Sequence, residues 1–247
     1  MTREDRTIEE QVVSKAAEMT LSSQLDSAEK IEVDVQTDLL EIFQGKVDSA
    51  AISGQGLVMQ KDIRIQEMEL YTDGVDVNPL SALFGQVELD RPVNAKGRIV
   101  LIEADINRTL NSDYVLDQAQ NFALNVDGKT ATLSMQQMEL RLPDGDKMIF
   151  SGKSLIREMG NTQQISFIAT FRPRGKNQPV LVENFVCDDK QSISLDFAVA
   201  LMDKIKEITH LPFFEIGQMK LRIEEMEVQT GKITLQIKAH VRQVPAT

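Results

Sequence analysis

Ile63-Arg64-Ile65-Gln66-Glu67-Met68-Glu69-Leu70 is the stretch on which the reading of this chain turns, because its pattern returns twice. The second copy is Leu133-Ser134-Met135-Gln136-Gln137-Met138-Glu139-Leu140 and the third is Leu221-Arg222-Ile223-Glu224-Glu225-Met226-Glu227-Val228. Each reads apolar, any, apolar, two polar, Met-Glu, apolar. A half-buried strand alternates with period two, yet every copy steps by three between its second apolar residue and the methionine. One extra residue in a strand produces that step, a β-bulge that bends the strand and increases its twist. The copies are therefore predicted to be three bulged strands of strongly curved antiparallel sheet. None carries a nucleophile, a metal-ligand cluster or a phosphate loop, so the repeated element is architectural.

Working outward, each copy follows a stretch of helical periodicity. Thr7-Ile8-Glu9-Glu10 has the spacing of a capping box, and Ile8, Val12, Ala16 and Met19 follow as a stripe, widened by Val13 and Ala17, predicted to pack on the sheet. Asp105-Ile106-Asn107 reads as the start of a second helix with Ile102, Ile106 and Leu110 inward, and Ser112 caps a further piece carrying Tyr114, Val115, Leu116, Ala119 and Phe122. Phe197, Leu201, Ile205 and Ile208 define a core helix stopped by His210-Leu211-Pro212-Phe213-Phe214. Between them Ile31, Val33 and Val35 alternate with Glu32, Asp34 and Gln36 as a half-buried strand, and Thr72-Asp73-Gly74 reads as a turn. Asn78-Pro79-Leu80-Ser81-Ala82-Leu83-Phe84-Gly85 reads as a short, unusually apolar helix. The expected fold class is α+β: one domain over residues 1–247, a large curved antiparallel sheet wrapped around one to three helices, with internal repeat units at 7–100, 105–190 and 194–242.

Composition narrows the function classes. Asp and Glu total 38 against 27 Lys and Arg, and a net charge of -11 repels phosphate backbones, so nucleic acid is not an expected partner. A single cysteine, Cys187, excludes an intramolecular disulfide, and with His210 and His240 as the two histidines a zinc site is not expected. The start, Met1-Thr2-Arg3-Glu4-Asp5-Arg6, is too acidic to head a secretory signal, and no run approaches a membrane span; a cytoplasmic protein, peripheral to a membrane, is the expectation. Gly54-Gln55-Gly56 lacks the later glycine and following helix of a dinucleotide loop, and Pro143-Asp144-Gly145-Asp146 lacks the ligand spacing of a calcium loop. Glu103 and Asp105 are two neighbouring carboxylates, but nothing near them in sequence is suited to perturb or partner them, so capping is their expected role. No catalytic residue, metal ligand or cofactor is expected, and the protein is not read as an enzyme.

The stretch Arg98-Ile99-Val100-Leu101-Ile102-Glu103-Ala104-Asp105-Ile106-Asn107-Arg108-Thr109-Leu110-Asn111-Ser112-Asp113-Tyr114-Val115, with Ile31-Glu32-Val33-Asp34-Val35 and Ile52-Ser53-Gly54-Gln55-Gly56-Leu57 upstream, resembles the LmeA-type phospholipid-binding family, in particular its cyanobacterial members of unassigned role. The resemblance runs from about Ala28 to Val241. It implies lipid binding by a sheet wrapped around helices, similar to tubular lipid-binding domains. The expected function is non-enzymatic binding, with transfer, of a phospholipid or other acyl lipid in an elongated apolar cavity near a membrane surface. Eleven Met and no Trp suit an adaptable lining, and affinity would come from burial at ~0.8 kcal/mol per methylene. The residues expected to contact lipid at the mouth are Leu80, Leu83, Phe84, Leu211, Phe213 and Phe214, all apolar and all at connections. The competing expectation is a protein-interaction scaffold with a dry core and no ligand.

Overall fold

In the computed structural model, period-two alternation becomes strand at Ile31–Val35 and at Ile233–Val241, and residues 7–38, 40–41, 44–59, 62–78, 89–158, 161–173, 180–188, 195–209, 214–216 and 219–242 are described. The order is α1 (Ile8–Ser23), β1 (Lys30–Gln36), β2 (Lys46–Met59), β3 (Ile63–Asp76), β4 (Val93–Ile102), α2 (Glu103–Leu110), α3 (Asp113–Gln118), β5 (Phe122–Val126), β6 (Lys129–Arg141), β7 (Met148–Glu158), β8 (Asn161–Arg172), β9 (Leu181–Asp188), α4 (Leu195–Thr209), β10 (Phe214–Ile216), β11 (Met219–Gln229) and β12 (Lys232–Val241). The fold is sheet-dominated α+β, as the sequence leads one to expect, and its strands form two sheets. One has the order β1-β2-β3-β4-β12-β11-β10 and the other β5-β6-β7-β8-β9. The chain divides into two compact units, the first comprising Met1–Leu101, Phe213–Glu225 and Thr234–Thr247, the second Ile102–Pro212 and Met226–Ile233.

In the first unit, β1 is an edge strand, and edge strands leave a row of backbone N–H and C=O groups without a ladder partner. Helix α1 covers that row. It begins with the expected capping box: the Glu10 N–H donates to Thr7 Oγ1 at 3.3 Å and the Thr7 N–H donates to Glu10 Oε2 at 3.0 Å. The Ser14 hydroxyl then accepts from the Val35 N–H at 3.0 Å, and Glu10 Oε1 from the Thr37 N–H at 3.5 Å. This requirement overrides the hydrophobic stripe. Ser14 is turned inward, 4% exposed, whereas Ile8, Val12 and Met19 are 77%, 64% and 66% exposed. The helix packs on the sheet as expected, with Val13 and Ala17 half-buried, but Ile8, Val12 and Met19 do not, because the edge strand needs hydrogen-bond acceptors more than it needs apolar cover.

Strand β3 does not turn at Thr72-Asp73-Gly74. It runs on to Asp76, and Gly74 takes φ 73°, a left-handed conformation open to glycine, before the ladder resumes at Val47↔Val75. The expected step between Ile65 and Met68 is present in an unforeseen form. Pairing with β2 is in step on both sides, at Gln55↔Glu67 and Leu57↔Ile65, while Gly56, opposite Gln66, has φ 57°. A methyl group placed at Gly54 would lie 2.7 Å from Leu57 Cδ2, so the Leu57 side chain has come round to the Gly54 side of the sheet. Both strands thus carry one extra residue at the same level, and the register does not shift.

In the second unit the same step is a bulge in one strand. Met135 pairs with Ser154 and Gln137 with Lys153, so Gln136 is the additional residue. Its effect is to keep Leu133, Met135 and Met138 on one side, where they join Leu124, Ala131, Ile156, Ile165 and Phe167 in a buried cluster. Phe197 and Leu201 of α4 close this cluster, as the helical periodicity predicts. The rings of Phe150, Phe167 and Phe185 follow one another across β7, β8 and β9 at centroid separations of 6.0 and 5.8 Å. Each such side chain withdrawn from water contributes roughly 1.5–3 kcal/mol.

Beyond Leu133, the β5 side of β6 has helix where a strand would lie. Asn111 and Asn107, one helical turn apart, each clasp a β6 residue with both ends of the amide: Oδ1 of Asn111 accepts from the Met138 N–H at 3.1 Å while its Nδ2 donates to the Met138 carbonyl at 2.6 Å. Asn107 does the same at Leu140, at 2.7 and 2.8 Å, and Glu103 Oε2 accepts from the Leu142 N–H at 2.6 Å. A spacing of four residues on a helix, about 6 Å, matches two residues of strand, about 6.8 Å, so the side chains act as an artificial neighbouring strand. Glu103 thus has a structural role. Asp105 is not the N-cap, which is Ile102; it lies in the first turn, buried, with Arg108 at 3.3 Å. Ser112 caps α3 as expected, accepting from the Val115 N–H at 3.3 Å, but α3 ends at Gln118 and Phe122 opens β5, paired with Leu133, instead of continuing the helix.

Candidate functional site

A cavity of about 700 Å³ opens on the polar face of the seven-stranded sheet, within the first unit. The register explains its form. Two cross-strand rows put side chains on one face, Glu32↔Ser53↔Glu69↔Arg98 and Asp34↔Ala51↔Tyr71↔Lys96, while the row between them, Val33↔Ile52↔Leu70↔Gly97, supplies backbone as floor and directs its side chains to the other face. Read by strand, β1 carries two carboxylates, β2 the small side chains Ala51 and Ser53, β3 Glu69 and Tyr71, and β4 the cations Lys96 and Arg98. Small residues on β2 between larger ones on β1 and β3 leave a trough, and Gln236 of β12 reaches it beyond β4.

The charges are unevenly tied. Arg98 Nη1 bonds Glu67 Oε2 at 3.0 Å and Lys30 Nζ lies 3.2 Å from Glu32 Oε2. Lys96 and Glu69 form no ion pair among the described residues. Asp73, two residues along β3 on the same face, holds the Tyr71 hydroxyl above the ordinary tyrosine range by hydrogen bonding and by its charge, with burial adding to the effect and the Ser49 hydroxyl opposing it. Tyr71 is therefore a neutral, exposed ring at physiological pH, suited to stacking on a cation. His240 faces the same side, its Nδ1 2.8 Å from Asn94 Oδ1. No group of three or more potential metal ligands is found among the described residues.

Of the six residues expected at a lipid mouth, Leu80, Leu83, Phe84, Leu211 and Phe213 lie outside the described residues. Phe214 is described as the first residue of β10, paired with Leu221, and its side chain lies outside the described set. The trough was missed by sequence reading, which places Glu32 and Asp34 as the polar positions of an alternating strand and assigns no role to Lys96 or Arg98. Only the register shows that Ser53 and Ala51 align between them.

The profile of a family described as LmeA-like phospholipid-binding matches residues 6–238, nearly the whole chain. The chain belongs to the LmeA-like phospholipid-binding family. No curated protein and no solved structure matches it. For this LmeA-like chain the match spans both compact units, so the family assignment covers the trough, the bulged β6 and the amide-bearing helix α2 alike. No helix among the described residues is long and apolar enough to cross a membrane.

Proposed function

We propose that this protein binds a phospholipid without chemical turnover and exchanges it with a membrane surface on which it sits peripherally. The observation that carries the reading is the family match over residues 6–238. Burial of acyl chains supplies the affinity, and the apolar residues Leu80, Leu83, Phe84, Leu211, Phe213 and Phe214 form the mouth. Contact with the bilayer falls to α1, whose Ile8, Val12 and Met19 form an exposed stripe within one narrow sector of the helix. The acidic side chains Glu9, Glu10 and Glu18 on the same helix suit a membrane of low negative charge.

Native mass spectrometry after incubation with phospholipid vesicles tests this. One retained lipid per chain is expected, and its loss in Phe84→Asp and Leu83→Asp with unchanged circular dichroism. A mass that stays free of lipid would overturn the reading. It would favour a protein-binding scaffold, for which the outer face of the five-stranded sheet offers the cross-strand pair Ile168 and Val186, both exposed.

A further inference from the structure

Resting on the phospholipid reading above, we propose that the trough across β1 to β4 is the headgroup site and that it selects zwitterionic headgroups, which pair a phosphate with an ammonium, over anionic ones. The argument is charge placement within one cavity. Lys96 and Arg98 lie two residues apart on β4 and present cations to a phosphate. One strand spacing away, roughly 4.8 Å, β3 sets Glu69 beside Arg98 and Tyr71 beside Lys96. A carboxylate and the face of a neutral aromatic ring are what an ammonium, methylated or not, binds best. Beyond the small floor of Ala51 and Ser53, Glu32 and Asp34 add two more carboxylates. The lining thus carries three carboxylates and two cations, with Glu32 met from outside the lining by Lys30 and Arg98 by Glu67, so the acidic excess is kept. A headgroup of net negative charge meets repulsion that its phosphate contacts do not offset, whereas a zwitterion satisfies both walls. Lys96 and Glu69, without ion-pair partners among the described residues, are the groups most available to the ligand, and Arg98 shares its guanidinium with Glu67.

Selectivity of this origin belongs to the headgroup alone, so lipids with identical acyl chains separate it from acyl binding. The full chain is incubated with vesicles of equimolar phosphatidylcholine and phosphatidylglycerol, both dioleoyl, and the bound lipids are quantified by native mass spectrometry. Wild type is expected to retain phosphatidylcholine about tenfold over phosphatidylglycerol, a difference of about 1.4 kcal/mol. In Glu69→Lys the ratio falls to unity or inverts. Lys96→Glu loses phosphatidylcholine retention about tenfold. Both positions are exposed strand residues, and circular dichroism verifies their folding. Retention of both lipids without preference, unchanged in the two variants, would overturn the headgroup site while leaving phospholipid binding intact. No retention of either lipid by any variant would overturn the reading on which it rests. Glycerophosphocholine, the same headgroup without acyl chains, is added as competitor. Failure to displace lipid at a hundredfold excess is expected, and displacement at equimolar concentration would overturn the lipid as the source of the headgroup.

Discussion

Strands β3 and β6 carry the same eight-residue pattern and solve it differently. In β6 the additional residue, Gln136, shifts the register with β7 by one. In β3 the partner strand takes an equal offset at Gly56, and the register is conserved. The difference follows from what lies on each side. β3 is held by strands on both flanks from Glu67 to Thr72, by β2 and by β4. The β4 ladder begins at Glu67, directly after the irregular position, and the β2 ladder keeps one register through it. β6 has a strand, β7, on one flank, and past the bulge its other flank is met by the amides of Asn111 and Asn107. Side chains with their own torsions can follow a shifted backbone where a strand cannot. A spacing of three in an alternating pattern therefore specifies an extra residue, and the neighbours decide whether one strand or two absorb it.

The most direct way to break this comparison is to remove the helix's substitute for a strand. Asn107→Ala with Asn111→Ala deprives four backbone groups of β6 of their partners, at about 1 kcal/mol each, so a loss of about 4 kcal/mol in unfolding free energy is expected from urea titration. Asn107→Asp keeps the acceptor and loses the donor, and costs about half of what Asn107→Ala does. A double variant within about 1 kcal/mol of wild type would mean that water serves that flank equally well and that the helix is not what permits the bulge.

A smaller effect separates the two bulges themselves. The β3 arrangement depends on a left-handed residue at Gly56, whereas positive φ occurs at neither Gln136 nor Gln137. Gly56→Ala is expected to cost about 1–2 kcal/mol from the left-handed conformation alone, with a further displacement of the Glu29 side chain, which an added Cβ would meet. Gln136→Ala, at an exposed position, is expected to stay within about 0.5 kcal/mol. Equal effects at the two positions would show that both strands use one mechanism. Thermal unfolding of the two variants side by side decides it.

These strands also mark how far the sequence can be read. The alternation of Ile31, Val33 and Val35 and the periodicity of Phe197 and Leu201 lead directly to buried positions at all but Ile31, which is half-buried, because each depends on residues a few places apart. The orientation of α1 does not follow from its own pattern. It depends on β1 being an edge strand, a fact fixed by pairings elsewhere. Asn107 stands in the motif that carries the family resemblance, yet its partner Leu140 is 33 residues on, and no local rule links them. The trough is less legible still. Its residues come from five strands, and each taken alone is an ordinary solvent-facing position.

The polar face of β3 offers the finest test of what its conserved register preserves. Tyr71 and Asp73 share a face because the strand is regular between them, and the carboxylate raises the tyrosine's pKa. In a Tyr114→Phe background Tyr71 is the one tyrosine remaining of two, so its titration is read from the ultraviolet difference spectrum of phenolate. Asp73→Asn removes both the negative charge and the carboxylate acceptor, and the midpoint is expected to move down toward the ordinary value of about 10. The sign for stability follows. A raised pKa in the folded state means the protonated form is favoured there, so this contribution is complete below the unfolded-state value and is lost as pH rises through the folded one. At neutral pH it is constant, so Asp73→Asn should remove it there, leave the charge walls of the trough as they are, and abolish the loss of stability that accompanies Tyr71 ionisation at alkaline pH. A midpoint that does not move would mean that the two side chains are not held on one face, and the register argument for β3 would fail at that point.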